Sequence, residues 1–383
     1  MTIMKTSISR KPRTLRTLTP RVSALHAALS ATLFTFPMLF AAAPVGAAQF
    51  RVTDLGTSGS RTSYATGINA AGQVVGGGGF SAFLWQSGSI QDLGALAGPY
   101  SFSQANGINA AGQVVGGGGF HAFLWQSGSM RDLGTLGGTW SYARGINDAE
   151  QVVGHASTGD DAATHAFLWQ SGSMQDLGTL GGTDSSASGI NAAGQVVGNA
   201  NINGDAAYHA FLWQSGSKQD LGTLGGTNSY GLGINAAGQV VGDADISGDA
   251  ASHAFLWQSG SMQDLGTLGG TRSVANGINA AGQVVGYANT SGNAASHAFL
   301  WDSGSMTDLN SLIDPLPGWT IYDAVGINDS GQIAANGCND TGDCRAMLLT
   351  PVPEPDTYLM MLAGLALLLA KARHRNSTQY SGK

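Results

Sequence analysis

The chain has 383 residues, 58 of them glycine, with 43% apolar and 11% charged side chains and a formal net charge of −7. That apolar share is ample for a core and excludes a disordered chain, while so much glycine marks frequent turns. Between Gln49 and Pro355 there are 7 Lys and Arg against 23 Asp and Glu, a net charge of −16, which excludes nucleic acid as a partner because phosphate binding depends on basic side chains.

Residues 1–48 predict an export signal. Lys5, Arg10, Lys11, Arg13, Arg16 and Arg21 precede an apolar run from Ala24 to Ala43, and the small residues Gly46 and Ala48 offer a cleavage point before Gln49. The alternative is an uncleaved membrane anchor, against which Pro37 and Pro44 break the run.

Residues 49–350 repeat one phrase. Gly-Ile-Asn begins at Gly67, Gly107, Gly145, Gly189, Gly233, Gly277 and Gly326, with spacings of 40, 38, 44, 44, 44 and 49 residues. Periods of this size belong to propellers or stacked arrays, whose units bury their apolar faces only against neighbours. In the copy at Gly233 the reading is four short strands. The first ends at Ile234, and Asn235-Ala-Ala-Gly238 forms a type I turn. Gln239-Val-Val-Gly242 is the second strand, His253-Ala-Phe-Leu-Trp-Gln258 the third and Met262-Gln-Asp-Leu-Gly266 the polar fourth. Short runs interrupted by glycine, with no sustained 3.6-residue pattern, exclude helices.

The ends carry the topology. Asp-Leu-Gly occurs first at Asp54-Leu-Gly56, ahead of any Gly-Ile-Asn, while the last copy stops after a third strand at Arg345-Ala-Met-Leu-Leu349. The predicted fold is therefore an all-β, seven-bladed β-propeller of four-stranded blades, closed by lending the N-terminal strand to the last blade. The alternative is an open β-repeat array, which would want distinct capping repeats.

Candidate chemistry is sparse. The repeated His121, His165, His209, His253 and His297 would fall on different blades, too far apart for one metal, and are expected to satisfy backbone or turn groups. The repeated Asp of Asp-Leu-Gly is expected to cap turns. No blade holds a lone Ser-His-Asp set or a GxSxG elbow, so a non-enzyme is expected. The rival class is a propeller enzyme acting on envelope polysaccharide, to be recognised by unlike acid, base and nucleophile at the central mouth.

One loop resembles the opening of a calcium site. Asp243, Asp245, Ser247 and Asp249 alternate around Gly248, and Asn199, Asn201, Asn203 and Asp205 repeat the spacing, with calcium as the candidate cofactor. Ala254 stands where a closing Glu belongs, and a polar Asn/Asp/Gly turn is the alternative. Cys338 and Cys344 flank five residues and, in an exported chain, read as a disulfide, with a metal or redox pair as the alternative.

Residues 351–383 form a second address. Pro353, Glu354 and Pro355 precede an apolar run from Tyr358 to Ala370 and the basic Lys371-Ala-Arg-His-Arg375. Thirteen helical residues span about 20 Å, short of a bilayer core, so 358–370 would meet the membrane transiently.

Two resemblances follow. Pro-Glu-Pro, an apolar stretch and a basic end, in that order at the chain end, resemble the PEP-CTERM sorting signal of Gram-negative bacteria, which implies processing by an exosortase. His165-Ala-Phe-Leu-Trp169 and its equivalents resemble the HAF family of extracellular repeats, which implies an exported repeat protein. Ser81 in the first repeat and Arg345-Ala-Met-Leu-Leu349 in the last depart from that pattern. The expectation is an exported, surface-associated, non-enzymatic scaffold presenting interaction loops to exopolysaccharide or to a surface protein.

Overall fold

The second and third strands of each repeat carry Val, Ala, Phe, Leu and Trp on both faces, so one sheet alone cannot cover them. A computed structural model of the chain describes residues 49–57, 59–96 and 102–352 and is all-β, built of four-stranded antiparallel units. The expected export signal, Pro353-Glu354-Pro355 and the apolar run 358–370 lie outside the described residues.

In the fifth repeat the strands Gly225–Ile234, Val240–Ile246, Ser252–Gln258 and Ser261–Asp264 pair in sequence order. The other repeats follow the same meander, and the fifth and sixth touch through one parallel bridge, Ser252 to Arg272. The seventh unit takes its fourth strand from the other end of the chain. Phe50–Asp54 pairs antiparallel with Cys344–Pro351, from Phe50 opposite Pro351 to Asp54 opposite Met347.

Apolar side chains collect between units rather than within them. Val197, Ala210, Leu212 and Leu221 of the fourth unit pack with Val240, Ala244, Phe255 and Trp257 of the fifth. Leu55, Ala334, Ala346 and Leu348 of the seventh pack in the same way with Ala65, Val74 and Phe83 of the first. Phe83, Phe123, Phe167, Phe211, Phe255 and Phe299 are all fully buried, each worth about 2–3 kcal/mol of transfer free energy. No unit can realise that gain without a neighbour.

The Asn of Gly-Ile-Asn does more than start a turn. Asn235 accepts the backbone N–H of Gly238 on its carbonyl, as the turn requires. Its side-chain Oδ1 accepts from Gln239 N, and its Nδ2 donates to the Asn279 carbonyl of the next unit at 3.0 Å. The same donation runs from Asn69 to Asn109, Asn109 to Asn147, Asn147 to Asn191, Asn191 to Asn235, Asn279 to Asn328 and Asn328 back to Asn69. These buried amides form a cycle, and each holds partners that would cost about 1–3 kcal/mol to leave unmade.

One residue before each Gly-Ile-Asn the ladder slips. Ala143 pairs with Gly154 and Gly145 with Val153, leaving Arg144 out of register. Thr66, Asn106, Ser188, Leu232, Asn276 and Val325 sit at the same bulge in their units. Beside it, in the units that carry Val-Val-Gly, backbones come close: a Cβ on Gly242 would lie 1.8 Å from the Tyr230 carbonyl oxygen. That approach fixes glycine in the Val-Val-Gly of the second strand.

Second strands run further than their sequence suggested. Val240–Ile246 continues through Asp243 and Asp245, and Val196–Ile202 through Asn199 and Asn201, so half of the expected calcium-loop ligands lie in strands. Cys338 and Cys344 are disulfide-bonded, opposite each other on the strands Ile333–Asn339 and Cys344–Pro351.

Candidate functional site

A bulge re-aims the side chain it frees, and here seven bulges aim at one place. Thr66, Asn106, Arg144, Ser188, Leu232, Asn276 and Val325 all line a single cavity of about 640 Å³. The Gly-Ile pairs that follow them line a narrower space of about 200 Å³, and Val325 borders both. The larger cavity is a mouth to which all seven units contribute.

Beyond Ala65 and Trp140, the rest of its wall comes from two more positions. Gln104, Tyr142 and Asp323 stand three residues before Gly-Ile-Asn, while His155 and Asn336 follow the Val-Val-Gly segment or its counterpart in the seventh unit. These positions face each other across the first two strands, as Tyr142 opposite His155 and Asp323 opposite Asn336 show. The Gly-Ile-Asn segment between them is the same in all seven units, yet the three mouth positions differ in kind from unit to unit. Reading for shared residues hides this signal; reading the same repeats for their variable columns would have found it.

The wall is uneven in its chemistry. On the third unit, Trp140 stands edge-on to His155 with ring centroids 5.4 Å apart, and Tyr142 lies tilted at 5.8 Å. The Arg144 guanidinium sits 5.7 Å from the centre of the Tyr142 ring, a cation–π distance. Tyr142 donates its hydroxyl to Gln104 Oε1 at 3.0 Å, and Asn106 Nδ2 donates to the Ala143 carbonyl at 2.7 Å. Burial, with the nearby Arg144 charge, lowers the His155 imidazole to about 4, so it is neutral at ordinary pH.

Across the mouth, burial raises the Asp323 carboxyl to about 6, opposed by hydrogen bonds from Asn276 and Asn336; the Asn276 bond measures 2.8 Å. Ser186 Oγ lies 3.1 Å from His155 Nδ1, a hydroxyl–imidazole pair. Among the described residues His155 has no carboxylate within ion-pair reach to orient it. The assembly offers aromatic faces, planar amides, hydroxyls and one guanidinium around a shallow cavity.

The residues singled out from sequence fall elsewhere. Asp243 is buried, accepts from Ser252 Oγ at 3.1 Å, and is raised to about 6 chiefly by desolvation. Asp245 accepts from Asn228, and Asp249 holds Thr227 through its backbone N–H and its hydroxyl. Ser247 lies beside Gly225. In the preceding unit Asn199 sits in the strand opposite Ser186, Asn201 accepts from Asp184 N, and Asp205 holds Thr183 from a short 3₁₀ turn beginning at Asn203. These oxygens serve separate partners. Among the described residues no group of three or more His, Cys, Asp or Glu converges as a metal site would.

The repeated histidines have a partner the sequence did not suggest. His121, His165, His209, His253 and His297 place Nδ1 2.6–2.8 Å from Asp132, Asp176, Asp220, Asp264 and Asp308, eleven residues on in each case. The other oxygen of each Asp caps the next turn, as Asp220 Oδ1 does for Gly222 N at 2.8 Å. The pairs tie third to fourth strands at the outer edge, so a carboxylate joins the expected backbone or turn partner of the imidazole, and His165 Nε2 also lies 3.2 Å from the Thr183 carbonyl.

Comparison with known proteins addresses the chain end. Residues 351–376 match the PEP-CTERM protein-sorting motif. The PEP-CTERM signal fits export to the cell-envelope surface and implies processing by an exosortase. Among the described residues no helix is long and apolar enough to cross a membrane. No curated protein matches the chain.

Among solved structures, the extracellular domain of a hybrid two-component system from B. thetaiotaomicron superposes with a TM-score of 0.51 at 9% identity. The match covers 80% of this chain and 40% of that one. A chain of the mitotic checkpoint complex gives 0.46 at 13% identity, covering 81% and 95%. The first likeness concerns the fold, and this chain spans well under half of that protein.

Proposed function

We propose that residues 49–350 form a seven-bladed β-propeller of HAF-type repeats, preceded by an export signal over 1–48 and followed by the sorting tail over 351–383. Its role is that of a non-enzymatic scaffold at the envelope surface which binds exopolysaccharide in its central mouth. The propeller reading rests on the cycle of Asn hydrogen bonds and on the pairing of Phe50–Asp54 with Cys344–Pro351.

One observation carries the binding reading: side chains that differ from unit to unit converge on one cavity, while the Gly-Ile-Asn segment beside them recurs in all seven units. Aromatic rings beside amides and hydroxyls suit sugars, whose C–H faces lie on rings and whose hydroxyls exchange hydrogen bonds. The loops of the third to sixth units are pinned to their own sheets by Asp161, Asp205, Asp249 and Asn293, which moves the weight from loops to mouth. A glycan-array screen of the mature protein tests this: retained glycans should be lost on Trp140→Ala and Gln104→Ala, and an array without hits rejects the reading.

The Ser186–His155 pair favours a second reading, hydrolysis of envelope polysaccharide. Release of reducing ends that stops in Ser186→Ala would establish it.

A further inference from the structure

The first two units expose what the others cover. In the third to sixth units a loop joins the second and third strands and folds back on the sheet, whereas in the first two the connection is a tight turn at Gly79-Phe80 and Gly119-Phe120. Phe80 is 75% exposed and Phe120 81%, and Phe102 is 52% exposed. Folding alone gives no reason to hold three phenylalanines in water.

Backbone hydrogen bonds string these rings together. The Phe80 carbonyl accepts from Ser103 N at 2.9 Å, next to Phe102. The Phe102 carbonyl accepts from Gly119 N at 3.0 Å, next to Phe120, and the Phe120 carbonyl accepts from Ser141 N at 2.9 Å, next to Trp140. Trp140 lines the mouth. The order Phe80, Phe102, Phe120, Trp140 is therefore a row along neighbouring backbone segments that ends at the cavity, whose wall Trp140 shares with Gln104 and Asn106.

We propose that this row is a track for an extended, uncharged polysaccharide, successive sugars resting on successive rings and the chain ending in the mouth. The proposal rests on the mouth being a saccharide site and adds the ligand's charge and its length. Four facts favour this occupant. Each ring stands singly in the chain between polar or glycine neighbours such as Ser81, Ser103 and Gly119, one aromatic per segment for one sugar each. Nucleobases also stack on such rings, but a body of charge −16 repels a phosphate chain. The same charge repels anionic lipid head groups and acidic glycans. The row also runs into the amides that would meet hydroxyls.

The test is calorimetric titration of the mature protein with cello-, laminari- and chito-oligosaccharides of two to six sugars. In at least one series the hexasaccharide should bind at least tenfold tighter than the disaccharide, with little dependence on salt. Each ring lost should weaken the hexasaccharide about fivefold. Phe80→Ala with Phe120→Ala should thus lower its affinity at least tenfold while leaving the disaccharide within twofold; Trp140→Ala should weaken both. These phenylalanines are exposed, so the double variant should keep its melting temperature. A hexasaccharide bound no tighter than a disaccharide, or a double variant that binds like wild type, overturns the track and leaves the mouth reading standing. No binding in any series rejects both readings. Phenylalanine-dependent dimerisation in sedimentation, or flotation with phosphatidylcholine vesicles, overturns the track by giving the row to a second copy or to lipid.

Discussion

Asp323 shows what the mouth demands of a single side chain. Its carboxyl, raised to about 6 by burial, binds protons more readily folded than unfolded, so its favourable contribution is present below pH 4 and is lost as pH rises through 6. His155, lowered to about 4, acts oppositely and loses stability as pH falls from 6.5 towards 4. Asp323→Asn isolates the first effect. The variant should gain on wild type by about 2 kcal/mol between pH 4 and pH 7, read as a widening gap in melting temperature, and a gap that ignores pH would contradict the buried carboxylate.

Asn235 was legible in sequence as a turn residue, but its bond to the next unit was not, because no local pattern encodes a partner 44 residues away. Arg144, Trp140 and His155 were equally hidden. A bulge cannot be seen in a single strand, and it is the bulge that turns Arg144 to the cavity.

At the scale of the element, strand periodicity and turn chemistry gave the four-strand unit with boundaries good to two or three residues. The error lay where the second strand outran its expected end, because Asp243 and Asp245 pair with Ala254 and Ser252 instead of looping. Calcium follows from that geometry. With Asp245 committed to Asn228 and Asp249 to Thr227, millimolar calcium should leave the melting temperature where chelator leaves it, since only a ligand of the folded state raises it. A rise that Asp245→Ala removes would restore the cation reading.

The close approach at Gly242 gives the sharper test. Gly242→Ala sets a methyl 1.8 Å from a carbonyl oxygen, a clash that backbone movement alone can relieve. Its cost should reach about 3 kcal/mol or more, well beyond the roughly 1 kcal/mol change of an ordinary strand Gly/Ala exchange, measurable by denaturant unfolding.

For the whole molecule, stability is a property of neighbours. Every core is shared between two units, so the first strand counts for more than its own side chains. Removing residues 49–57 strips Phe50 and Leu55 from two separate cores and opens a strand edge that invites aggregation. The truncated chain should be protease-sensitive and aggregate, and moving the same segment to follow Val352 through a short turn should restore a compact fold. Unchanged melting after truncation would return the open array.

That same strand sets a timetable for folding. Phe50 is synthesised early, and Pro351, its partner, follows some three hundred residues later; at about 5–20 residues per second for synthesis, the leading strand waits for roughly 15–60 seconds. The PEP-CTERM motif begins at Pro351 itself, so the last residue needed to finish the fold is also the first residue of the sorting signal. Maturation and sorting thus meet at one seam, and a tail cut before the seam had zipped would release a body still missing its final stitch.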